Sequence, residues 1–179
     1  LTERRRKRSP LRDVAGMLRS FAYAASASEL ERGVTPPEDW EQREVGGGAA
    51  EVGNSISSFT FAPSRGANGL TVEVYRLQFG VTEGNIESVE GEVAAVTEAI
   101  FRQAGGRVTD GPTRVTIAGH PGYSATGTGM TPQGARVESR VNLLFDGATE
   151  YFLNCQYTPS GAEEMKQGCD QAVESFQVE

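Results

Sequence analysis

The chain has 179 residues, with 17 Lys and Arg against 24 Asp and Glu, one His and two Cys, giving a formal net charge of −7. That length allows one well-buried domain with an appendage and is too short for two full-sized domains. The acid excess disfavours nucleic acid as a partner, because neutralising phosphates takes a cationic face, and no apolar run nears the roughly 18 residues of a membrane span.

The charge is uneven, +1 over residues 1–45 and −8 over residues 46–179. Arg4-Arg5-Arg6-Lys7-Arg8 could meet nucleic acid or anionic lipid, although one short basic run at a free end is more often a solvated tail. Ser9 then serves as N-cap and Pro10 as the first helical residue, where a missing N–H costs nothing. Leu11, Val14, Ala15, Leu18, Phe21, Ala22 and Ala25 follow at helical spacing, which predicts an amphipathic helix ending near Gly33 and Pro36-Pro37. Its stripe needs a cover, so Leu11, Val14, Leu18 and Phe21 form a candidate interaction face for a protein partner or self-association. A further helical turn is expected over Glu38–Glu44 around Trp40. Gly46-Gly47-Gly48 opens a flexible linker at 46–53. The first residue is Leu, as in a processed or trimmed product.

Residues 2–25, from Thr2 through the basic run to Ala25, resemble an internal segment of actinobacterial maltokinases, which make maltose 1-phosphate from maltose and ATP. In that family the metal-binding acidic motif and the catalytic Asp lie upstream of this segment, and neither motif occurs here. Phosphoryl transfer needs phosphate-cradling groups, a metal-holding carboxylate and a base. The resemblance therefore implies a helical arm over 1–45 without kinase activity and carries over no catalytic residue. It also supports a second reading, a cytoplasmic remnant or regulator of a maltokinase.

A β-rich domain is expected over 54–179. Ile56, Phe59 and Phe61 belong to one strand and Leu70–Phe79 to the next, joined by the turn-rich stretch 63–69. Glu87–Ala104 reads as a helix with Val89, Val93, Val96 and Ile100 as its apolar stripe, acids in its first turn and Gly105-Gly106 as its stop. Strands at Thr113–Ala118 and Tyr123–Thr128 flank a turn at Gly119-His120-Pro121-Gly122. In Arg136–Phe145, Val137, Ser139, Val141, Leu143 and Phe145 alternate with Arg136, Glu138, Arg140 and Asn142. Tyr151, Leu153, Cys155 and Tyr157 alternate likewise, so Asp146-Gly147 predicts a hairpin turn. Ser160 and Glu163 form a capping box opening a helix whose Met165, Cys169, Ala172, Val173 and Phe176 share one face.

The two cysteines lie on facing apolar surfaces of that last strand and helix. If bridged, Cys155 and Cys169 close a loop of about fifteen residues, worth roughly 3 kcal/mol, and imply an oxidising compartment. The other reading is two small buried hydrophobes in a reducing cytosol. Neither a second Cys pair nor a nearby His makes them a zinc site.

No stretch forms a complete catalytic constellation, and no metal or cofactor site is expected. His120 sits in a Gly/Pro turn without a neighbouring Ser, Cys or acid, so it reads as a turn residue. The glycine-rich run Gly127–Gly134 follows a strand, opens no helix and lacks a Lys, which fits a hairpin loop better than a phosphate loop. Tyr75, Tyr123 and Tyr151 are candidates for lining a small-molecule pocket between the Glu87–Ala104 helix and the sheet.

Residues 54–178 resemble the PsbP/Mog superfamily, in particular its small secreted or lipid-anchored actinobacterial members. The strands and helices above carry the resemblance, with the Ala118–Ala125 turn and the endings Tyr151–Cys155 and Cys169–Phe176. It implies an α+β fold in which an antiparallel sheet packs against two helices, here preceded by a separate N-terminal amphipathic helix. Members act mainly as binding or assembly modules, including photosystem accessory subunits and a Ran-binding protein. A lipobox cysteine is absent from the sequence, so membrane attachment is not supported. The expectation is a non-catalytic, extracytoplasmic binding or scaffolding domain, secreted or in the cell envelope.

Overall fold

Long runs of alternating apolar residues bounded by Gly, Pro and Asp build antiparallel strands through more than half of the described residues. The computed structural model describes residues 36–44, 55–63 and 68–177. In chain order these are β1 (Glu41–Glu44), β2 (Ser55–Ala62), β3 (Gly69–Val81), a 3₁₀ turn (Ile86–Val89), α1 (Glu90–Gln103), β4 (Arg107–Ile117), β5 (His120–Met130), β6 (Arg136–Tyr157), a 3₁₀ turn (Pro159–Gly161) and α2 (Ala162–Glu174). All pairings are antiparallel and the sheet order is β1-β2-β3-β6-β5-β4.

The extended run β6 is the hub. Its first arm, Arg136–Leu144, pairs with β5, and its second, Gly147–Gln156, pairs with β3. The run folds back on itself between them. Cys155 is bonded to Cys169, and the next residue of the helix, Asp170, is ion-paired with Arg140. Held straight, fifteen strand residues would separate Arg140 from Cys155 by roughly 50 Å, so both arms reach α2 only by reversing at Asp146-Gly147. There Gly147 takes a φ of 56°. The burial pattern agrees: Leu144 shares a core with Tyr151, Leu153, Cys155 and Tyr157, while Val141, Leu143 and Phe145 lie in another core with Phe152 against it. Even residues before the turn and odd ones after it share a face, the phase that a two-residue reversal imposes.

The two helices cover opposite faces. On one, Met165, Cys169, Ala172 and Phe176 of α2 and the residues after it pack on Leu70, Val72, Val74, Leu153 and Cys155. The Cys155–Cys169 disulfide, with Cα atoms 6.1 Å apart, ties helix to sheet. On the other, Val93 and Phe101 of α1 join Ile86 and Val89 over Tyr123, Ala125, Val141 and Leu143. The buried stripe of α1 is Val93, Thr97 and Phe101, with Val96 and Ile100 only half-buried. Val89 and Val93 are buried as expected, but from there the stripe runs through Thr97 and Phe101 instead of Val96 and Ile100, because Gly127 on β5 leaves room for the Phe101 ring that any side chain would fill.

Three further expectations are corrected. Residues 41–44 form an edge strand on β2 instead of a helical turn, and Trp40 is buried, its indole lying on Gly168 of α2. The end of the expected 1–45 arm therefore belongs to the main sheet, drawn there by ladder hydrogen bonds and burial of the indole. The hairpin between β4 and β5 turns at Ala118-Gly119, with φ values of 52° and 82°, so both strands are longer than expected and His120 begins β5. The capping box is not formed. Pro159 starts a 3₁₀ turn, the Ser160 hydroxyl pairs with that of Thr158, and the N-cap of α2 is Gly161. Asn68 replaces it as the local anchor, its Oδ1 accepting from the Thr158 backbone N–H at 2.8 Å and from the Thr158 hydroxyl at 3.1 Å.

Candidate functional site

Strand parity decides which side chains meet. Glu138, Arg140 and Asn142 share the α2 side of the first arm of β6 with Leu144, but α2 sits over the second arm and β3. A groove of about 470 Å³ remains beside the helix. Its floor comes from β4, β5 and β6 and its wall from α2. In one row Arg107 of β4, Thr128 of β5 and Glu138 of β6 stand side by side, and in the next Thr126 faces Arg140. The Thr109 and Thr126 hydroxyls are 3.3 Å apart and share a hydrogen bond. Arg136 stands two residues further along the edge.

From the wall, Asp170 reaches down to Arg140, and the Lys166 Nζ lies 5.4 Å from the centre of the Tyr157 ring. Both residues of the ion pair keep solvent, at 31% and 54% side-chain exposure, so the pair contributes at most about 1 kcal/mol. It can therefore open for a competing ligand. Arg107, Arg136 and Glu138 make no ion pair among the described residues. The disulfide forms part of the inner lining through Cys155.

The sequence-derived tyrosines do not converge. Tyr123 is buried under the 3₁₀ turn before α1, its hydroxyl donating to the Ile86 carbonyl at 3.2 Å, and burial pushes its phenol up. Tyr151 lies in the opposite core, 5.3 Å from Phe176 between ring centres, again raised mainly by burial and then by Asp146. Tyr75, on the α1 side of β3, donates to Glu73, and burial followed by the Glu73 charge raises it. These side chains lie on two faces of the sheet and line no common pocket. Opposite Tyr75, burial pushes the Glu150 carboxyl up to about 7.

His120 lies at the tip of the β4–β5 hairpin, 6.3 Å from Tyr151 and 6.4 Å from Phe176 between ring centres. It packs as an aromatic at the end of α2. The expected interaction face Leu11, Val14, Leu18 and Phe21, the maltokinase-like stretch and the 46–53 linker lie outside the described residues. Among the described residues no cluster of three His, Cys, Asp or Glu is placed to hold a metal, and no helix is long and apolar enough to cross a membrane.

The groove was foreshadowed by one signal. Arg136, Glu138 and Arg140 alternate on a strand that is central to the sheet, where a polar face has to be either solvated or used. The partners Thr109, Thr126, Lys166 and Asp170 are remote in sequence, and only the fold gathers them.

The architecture has known counterparts. The solution structure of cyanobacterial PsbP (CyanoP) from Synechocystis sp. PCC 6803 superposes with a TM-score of 0.59 at 11% identity, over 88% of this chain and 91% of that one. The fold is PsbP-like. A crystal structure from Bacteroides thetaiotaomicron VPI-5482 matches with a TM-score of 0.53 at 11% identity, over 82% of this chain and 44% of that one, so the chain spans less than half of that protein. No family model matches the sequence. At this identity the PsbP-like relation is one of fold, and the site has to be argued from its own residues.

Proposed function

We propose that this protein is a non-catalytic, extracytoplasmic binding or scaffolding domain whose working surface is the groove beside α2. The observation that carries the reading is the disulfide-pinned helix: Cys155 and Cys169 fix the wall of a polar groove against its floor. A bridge in that position is kept in an oxidising compartment, and a rigid wall lowers the ordering cost of a bound partner. The groove offers cations, carboxylates and hydroxyls without a nucleophile aligned on a base, an arrangement suited to recognition. The PsbP-like fold supports a binding or assembly role.

The test is a free-thiol count on protein purified under denaturing, alkylating conditions from its native source, together with cell fractionation. No free thiol and recovery outside the cytoplasm are expected. Two alkylatable thiols in a cytoplasmic fraction would overturn the address and favour the reading as a maltokinase remnant or regulator. That second reading rests on residues 2–25 alone, and co-purification of a kinase through the Leu11–Phe21 stripe would support it.

A further inference from the structure

We propose that the groove beside α2 binds a hydroxylated anion, an acidic sugar or a sugar phosphate, with Arg107, Arg136 and Lys166 holding the oxyanion and Glu138 accepting from the hydroxyls. This rests on the reading of the chain as a binding domain and names the class of ligand.

Of the cations in residues 69–177, Arg136, Arg140 and Lys166 line one groove and Arg107 adjoins Thr128 on its floor, while the chain as a whole carries −7. Glu163, Glu164 and Glu174 of α2 lie along its outer side and outside the groove, with Lys166 and Asp170 at the boundary between the two. Four of the seven cations of residues 69–177 thus stand in or beside one concavity, with Arg76, Arg102 and Arg114 outside it, and on an acidic molecule such a cluster concentrates anions.

The groove is mixed, with two carboxylates and three threonine hydroxyls beside the cations. Directly opposed residues have Cβ atoms about 5 Å apart, so Arg107 and Glu138, on either side of Thr128, stand about 10 Å apart. That spacing suits one sugar ring with its charged substituent. A bare anion would gain from Arg107 and meet repulsion from Glu138. A ring presenting an oxyanion to the cations and hydroxyls to Glu138 and the threonines is complementary to the whole row. A volume of about 470 Å³ falls in the range of pockets that bury small ligands. The Arg140–Asp170 pair bridges floor and wall, so a ligand hydroxyl can exchange into it without leaving a buried charge unpaired.

The experiment is an amide-shift titration of the isotope-labelled full chain with glucuronate, glucose 6-phosphate, glucose and inorganic phosphate. Saturable shifts confined to Thr126, Thr128, Arg136–Arg140 and Lys166–Asp170 are expected with one or both charged sugars, and which of the two binds tighter separates carboxylate from phosphate. Glucose and inorganic phosphate should each bind at least about tenfold more weakly. Arg136→Gln and Lys166→Gln, both exposed and checked for folding by circular dichroism, should each weaken the charged sugar by about tenfold. Glu138→Gln should weaken the sugar but not inorganic phosphate. Non-saturating or scattered shifts, equal binding of glucose, or indifference to both cation substitutions would overturn the proposal. A cytoplasmic address with a saturating titration would remove the compartment and leave the ligand class standing, whereas export without a titration would do the reverse.

Discussion

Reducing the Cys155–Cys169 bridge is the most direct test of how this fold is held together. The bond spans a sequence separation of 14, and closing a loop of that size removes roughly 3 kcal/mol of chain entropy from the unfolded state. Both cysteines are about 1% exposed or less and sit between Met165, Leu153 and Leu70, so reduction leaves two thiols in place with the packing intact. The loss should therefore appear almost wholly as stability. With a urea slope of about 1–3 kcal/mol/M, the midpoint of the reduced protein should fall by about 1–3 M at unchanged slope, followed by far-UV circular dichroism with and without reductant. The groove should respond as well, since its wall then depends on the Arg140–Asp170 pair and the apolar contacts of α2. Superimposable oxidised and reduced curves would mean that the bridge adds nothing beyond core packing, and the proposed rigid wall would lose its basis.

Other outcomes follow from single contacts. Glu150 is raised from 4.5 to about 7, so the folded state binds more protons than the unfolded state between those values, and stability should fall as pH rises from 4.5 to 7. Glu150→Gln should flatten that slope and gain about 1–3 kcal/mol at pH 8 by thermal melts; an unchanged pH profile would refute the burial of this carboxyl. Gly168→Val drives a side chain into the Trp40 ring and should cost about 1–3 kcal/mol. Because Trp40 is the sole tryptophan, a red-shifted emission should accompany it, and unaltered fluorescence would count against the contact. Tyr123→Phe removes the hydroxyl that donates to the Ile86 carbonyl and should destabilise by about 1 kcal/mol in chemical denaturation. Gly127→Ala meets Phe101 and should loosen α1, visible as faster amide exchange in Glu90–Gln103 while α2 is unaffected.

Which features were legible in the sequence follows from how local their causes are. The β6 arms, their Asp-Gly reversal and the Met165–Phe176 face of α2 were readable, because alternation and helical spacing report burial directly and the core conforms to them. The disulfide followed from these two faces. Glu38–Glu44 departs from the expected helical turn because polar residues around one tryptophan carry no period, and the pull toward a strand comes from β2 and Gly168 far along the chain. The α1 stripe is legible at Val89 and Val93 and departs at Val96 and Ile100, because glycines on β5, invisible to helical periodicity, set where Phe101 fits. Ser160 satisfied the capping pattern, yet Pro159 and the Asn68 anchor placed the helix start at Ala162. The tyrosine pocket failed for a topological reason, since residues on neighbouring strands meet only when register and parity agree.

The groove exists because the two helices are diagonal to one another. Leu153 and Cys155 on the second arm of β6 are covered by α2, while Val141 and Leu143 on the first arm are covered from the other side along with β5. Each helix therefore leaves the opposite face of its own half of the sheet without a helix among the described residues. On the α1 side of β3 that space holds Glu73, Tyr75 and Glu150, where burial raises the Tyr75 phenol and the Glu150 carboxyl. On the α2 side of β4 and β5 it holds the groove lined by Arg136, Arg140 and Lys166, with Arg107 beside Thr128. A ligand carrying negative charge thus has one of the two uncovered faces available, and the flanking Cys155–Cys169 bridge keeps the wall of that face at a fixed distance from its floor.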